Sequence, residues 1–70
     1  MNIDERLREY RKQAASLRRR EASKEEIERV LREMEAEFSI PPAPDNEWNR
    51  EHKEIVRVYR DIASIRVYHK

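Results

Sequence analysis

Seventy residues allow one domain with a small core. No cysteine is present, which excludes disulfides and thiolate metal sites and leaves helix packing or self-association as the sources of stability. The net charge of +1 beside periodic apolar residues excludes the usual signature of disorder, which joins high net charge to low hydrophobicity.

The small net charge hides a segmental pattern. Residues 1–20 balance at +4, residues 21–47 at −6 and residues 48–70 at +3. Arginines outnumber lysines twelve to four. The guanidinium fork suits phosphate, although the codon bias of a GC-rich genome produces the same ratio. Met1–Tyr10 is charged throughout and offers no apolar signal core, and no run approaches the ~20 apolar residues of a membrane span. The expected setting is the cytoplasm, with no membrane partner.

Asn2 is placed to cap a first helix over about residues 3–22, with Glu5 three residues on. Ile3, Leu7, Tyr10, Ala14 and Leu17 form its apolar seam, spaced four and three residues apart. Ser23 and Glu26 read as a capping box for a second helix over about 24–38, with a stripe of Ile27, Val30, Leu31, Met34 and Phe38. Continuing the first seam by sevens lands on Glu21, Lys24, Glu28 and Glu35, so the register slips and a break near Ala22–Ser23 is expected. The rival is one continuous helix from 3 to 38, which neither Gly nor Pro forbids.

Arg11 and Arg18 edge the first stripe on one side, Arg6 and Arg20 on the other. Glu26, Glu33 and Glu37 edge the second stripe on one side, Glu28 and Glu35 on the other. Edge charges select helix partners, so the two are expected to close as an antiparallel hairpin. That use absorbs Arg18 and Arg20 of the Arg18-Arg19-Arg20 run, which otherwise resembles a nucleic-acid or localisation patch.

Ser39-Ile40-Pro41-Pro42-Ala43-Pro44 ends the second helix and reads as an extended spacer. Its direction, back along that helix or sharply away, is open. Asp45 or Asn46 is expected to cap a longer third helix over about 46–67, with Ile65 to Tyr68 frayed or strand-like at its end. The fold predicted is therefore all-α: a small three-helix domain, a helical hairpin plus a third helix after a Pro-rich spacer.

Trp48, His52, Ile55, Tyr59 and Ile62 give the third helix an apolar arc that Val58 and Ile65 widen. Trp48, Ile55, Tyr59 and Ile62 are candidate core or interface anchors, and Val58 and Ile65, at the arc's edge, are the stronger interface candidates. Because so short a chain is not expected to bury the whole arc, the role predicted is a non-enzymatic protein-interaction or regulatory module. Its partner is another protein or a second copy in a homodimer.

Opposite the arc, Arg50, Lys53, Arg57 and Arg60 form a basic stripe about 15 Å long. Arg8, Lys12 and Arg19 form a looser one on the first helix. They support the alternative, a small nucleic-acid-binding protein. Against it, Glu54 and Asp61 lie beside the stripe, where Arg57 can pair with them. The second helix is too acidic to enter a major groove.

No HExxH, Ser/His/Asp pattern or Gly-rich phosphate loop is present. His52 reads as a structural side chain stacked on Trp48. No catalysis, cofactor, metal or small-molecule substrate is expected.

Overall fold

The computed structural model describes residues 2–67. It is helical, with no strand among the described residues. Four helices follow in order: α1 (Ile3–Arg19), α2 (Lys24–Phe38), α3 (Asn46–Glu51) and α4 (Lys53–Ala63). No helix among them is long and apolar enough to cross a membrane.

Three helices begin where a side-chain cap was expected. Asn2 Oδ1 accepts from the Asp4 amide at 3.0 Å, Ser23 Oγ from Glu26 at 3.3 Å, and Asp45 Oδ1 from Trp48 at 2.8 Å. Each cap satisfies an amide that lacks an intrahelical acceptor. The capping box at Ser23 is only half formed, because the Glu26 carboxylate pairs instead with Arg20 at 3.2 Å.

The break between α1 and α2 is real, and α1 ends at Arg19 rather than near residue 22. The Ala22 amide donates to Leu17 O at 3.0 Å and the Glu21 amide to Arg18 O at 3.3 Å. This is the Schellman arrangement, in which the residue after the cap turns left-handed. Glycine normally takes that place, but the chain has none. Glu21 takes it at φ 50° and Ser39 does the same after α2 at φ 54°. A Cβ in that region costs about 1–2 kcal/mol, and glycine loses about 0.4–1 kcal/mol through its freer unfolded chain. Glu21→Gly is therefore expected to stabilise by about 0.5–1 kcal/mol, and Glu21→Ala not to. Thermal melts followed by circular dichroism check this, with a rise of a few degrees for glycine alone.

The third helix departs from expectation. It is interrupted at His52 (φ −123°, ψ 42°) and stops at Ala63 rather than 67. The His52 amide and ring Nδ1 both lie on the Trp48 carbonyl, at 3.0 and 2.9 Å, and the ring stacks on the indole at 4.3 Å. The rod thus breaks without glycine or proline, at a residue whose ring is held on the preceding turn. Beyond Ala63, residues 64–67 are non-helical and form no strand. Tyr68 and His69 lie outside the described residues.

The α4 helix packs against both α1 and α2, and α3 rests chiefly on α4. The core gathers Leu7, Tyr10, Ala14 and Leu17 from α1, Ile27, Val30 and Met34 from α2, Ile55, Val58 and Ile62 from α4, and Ala22 from the turn. Met34 and Ile62 have no exposed surface.

Each pair of neighbouring long helices is joined by its own polar seam. Between α1 and α2, Arg6 grips Glu37 through two bonds of 2.6 and 2.7 Å, with Arg20–Glu26 at the other end. These pairs join the start of α1 to the end of α2 and the reverse, so the two run antiparallel. Between α1 and α4, Arg11 pairs with Glu54 at 3.0 Å and Arg18 with Asp61. Between α2 and α4, the Tyr59 hydroxyl donates to Glu35 at 2.8 Å.

The hydrogen bonds from Arg6 hold the Glu37 carboxyl below its usual range, and those from Arg18 do the same to Asp61. A carboxylate whose folded pKa is depressed stabilises the fold above its unfolded value and loses that contribution as pH falls through the folded one. Urea midpoints are therefore expected to drop below about pH 4.5. The drop should be smaller in Glu37→Gln with Asp61→Asn, and smaller at high salt because both pairs are partly exposed.

Candidate nucleic-acid interface

The seam between α1 and α4 orients the basic residues. Arg11 and Arg18 point from α1 to α4, which fixes the helix's rotation. Arg8 and Arg19 lie about 60–100° round α1 from those arginines, on the solvent side. On α4, Arg57 and Arg60 stand in the same relation to Glu54 and Asp61. The two stripes therefore flank one seam on one face. Arg11, Arg57 and Arg60 line a shared groove with Val58, Asp61 and Ser64.

Arg50, Lys53, Arg57 and Arg60 are all exposed, and none makes an ion pair among the described residues. The break at His52 divides their stripe. Arg50 belongs to α3, while Lys53, Arg57 and Arg60 share α4 over about 10 Å. Arg8 and Arg19 are exposed and likewise without an ion pair among the described residues. Lys12 lies 3.7 Å from Glu9 and is partly occupied.

The acids beside the stripe have a different use from the one expected. Glu54 is held by Arg11, and Asp61 by two nitrogens of Arg18, one of which also reaches the Asp61 carbonyl. The arginines of α1 thus neutralise the carboxylates of α4, and the cations of α4 face water uncompensated. Other exposed acids lie at the margins: Asp4 and Glu5 at the start of α1, and Glu51 on α3.

The apolar candidates divide between core and surface. Ile55 and Ile62 are core. Val58, expected at an interface, is 2% exposed and is core as well. It faces inward with Ile55 and Ile62, three and four residues away on the same side of α4. Trp48, Tyr59 and Ile65 are half-buried. Trp48 and Tyr59 line a notch of about 180 Å³ with Ile40, Pro44, Asn49, Val56 and Arg60. Sequence reasoning missed the inclusion of Ile40 and Pro44, because nothing in the spacer's composition says where it lies, and that of Asn49 on α3.

Burial, and then the bond to Glu35, raise the Tyr59 hydroxyl above its usual pKa. It stays protonated at neutral pH and serves as a strut between α2 and α4. Among the described residues, no group of three or more His, Asp or Glu side chains comes together as metal ligands would.

Comparison with known proteins finds no matching family model, no matching curated protein and no matching solved structure.

Proposed function

We propose that this chain is a non-enzymatic binding module that holds the phosphate backbone of a nucleic acid against the α1–α4 face. Lys53, Arg57 and Arg60 of α4 carry the contact, flanked by Arg50 on α3 and by Arg8, Lys12 and Arg19 on α1. The observation behind this reading is the capture of Glu54 and Asp61 by Arg11 and Arg18. It removes the charges that would cancel the stripe, and arginine suits phosphate by the geometry of its fork. The cytoplasm is the compartment that fits such a role.

The test is fluorescence anisotropy with a labelled oligonucleotide between 50 and 200 mM salt. About five phosphate contacts give a log–log salt slope of roughly −3.5 to −4.5, depending on strandedness. Arg57→Glu with Arg60→Glu is expected to abolish binding while leaving far-ultraviolet circular dichroism unchanged, since both side chains are exposed. Binding that survives the double reversal overturns the reading.

A second reading, a protein-interaction or regulatory module, is favoured by the half-buried Trp48, Tyr59 and Ile65 and by Ile3, which is 56% exposed. Its partner is another protein or a second copy in a homodimer. The surplus apolar arc that suggested it is smaller than expected, because Ile55, Val58 and Ile62 are buried within one copy. Native mass measurement tests the homodimer: a dimer lost in Ile65→Glu supports it, and a monomer at all concentrations removes it.

A further inference from the structure

The aromatic notch adjoins a second groove, which runs along the outer side of α4 past Lys53, Arg57 and Arg60. Asn49, Val56 and Arg60 line both the notch of Trp48 and Tyr59 and the groove that holds Lys53, Glu54 and Arg57. An apolar, aromatic recess thus opens directly beside a row of cations. Its volume of about 180 Å³ is below the roughly 300–1,000 Å³ of pockets for whole drug-sized ligands. It suits a single ring system whose charged remainder stays outside. His52 stacks on Trp48 and Tyr59 is tethered to Glu35, so both aromatic walls are held in place.

Resting on the proposed nucleic-acid contact, we infer that the ligand is single-stranded and that one unstacked base enters this notch. Its flanking phosphates then lie on Arg60, Arg57 and Lys53. Aromatic platforms beside a cationic track are how single strands are held, because every base offers a π-face and the backbone supplies charge. A duplex keeps its bases stacked inside and offers the notch nothing to enclose. The Asn49 amide at the rim both donates and accepts, which matches the polar edge of a base. A peptide ring is the other occupant of suitable size, but the adjoining Arg57, Arg60 and Lys53 favour a ligand with an anion at every repeat.

The chain has one tryptophan, so its fluorescence reports on the notch directly. The intact protein is titrated with oligodeoxythymidylate, with an abasic strand of equal phosphate count, and with a duplex. The expected result is quenching of Trp48 by oligodeoxythymidylate only, with affinity roughly tenfold to hundredfold above the abasic strand. Trp48→Ala should bring the two strands to equal affinity. The abasic comparison gives the same answer without altering the protein, should that variant fail to fold. Equal affinity for base-bearing and abasic strands with Trp48 emission unchanged, or tighter binding of the duplex, overturns the notch assignment and leaves the phosphate contact standing. Failure of all three to bind overturns both.

Discussion

Ile62→Ala is expected to leave the chain largely unfolded at 25 °C. Ile62 has no exposed surface and sits on α4, the helix that packs on both α1 and α2. Truncating a fully buried isoleucine costs about 2–5 kcal/mol, part lost transfer energy and part the cavity left behind. A domain of this size has only about 3–5 kcal/mol from its core, and the chain has no disulfide to add to it. The loss is therefore comparable to the whole stability. Ile65→Ala is the control: Ile65 is half-buried and beyond the end of α4, so it should unfold at nearly the wild-type urea concentration. Urea titrations followed by circular dichroism at 222 nm compare the two. A cooperative Ile62→Ala transition displaced by less than about 1 kcal/mol would mean that α4 does not carry the core.

Much of this architecture is written locally. Asn2, Ser23 and Asp45 announce three helix starts because a cap depends only on the next few residues. The slip between the seam ending at Leu17 and the stripe starting at Ile27 reveals the first break, because a helix cannot keep both in register. The split at His52 is of another kind. It coincides with an imidazole meeting the Trp48 indole and carbonyl, a side-chain contact to which apolar periodicity is blind. The burial of Val58 was hidden for a related reason: a wheel drawn over residues 46–67 averages two helical segments into one arc.

The edge charges were half legible. Opposite signs set the first helix antiparallel to the second without naming pairs, and Arg6–Glu37 and Arg20–Glu26 join the two in that sense. The other edge of α1 turned to α4 instead of α2. In a three-helix arrangement each rod has two neighbours, and a two-helix wheel has no place for the second. Glu54 and Asp61 are two of the three acids in the basic segment 48–70, spaced seven apart like Arg11 and Arg18. That matched spacing was the available signal that the two edges meet.

The same seam yields the sharpest functional expectation. Glu54→Gln combined with Asp61→Asn is expected to tighten nucleic-acid binding, although neither residue is expected to touch the ligand. Two negative charges vanish from beside the stripe, and Arg11 and Arg18 are released to the same face. Two further phosphate contacts steepen the salt slope by about 1.4 for a single strand, an affinity gain on the order of tenfold near 0.1 M salt. The structural loss is small, because the side chains of both pairs stay 46–60% exposed and such pairs contribute about 0.2–1 kcal/mol each. Stability and affinity should therefore move in opposite directions, which a general loosening of the fold does not produce. Anisotropy titrations across salt, set beside urea midpoints for the same variant, separate the two. If the variant binds as wild type does while Arg57→Glu with Arg60→Glu still abolishes binding, α1 does not govern the exposure of the α4 cations. The seam is then only a fastener between two helices.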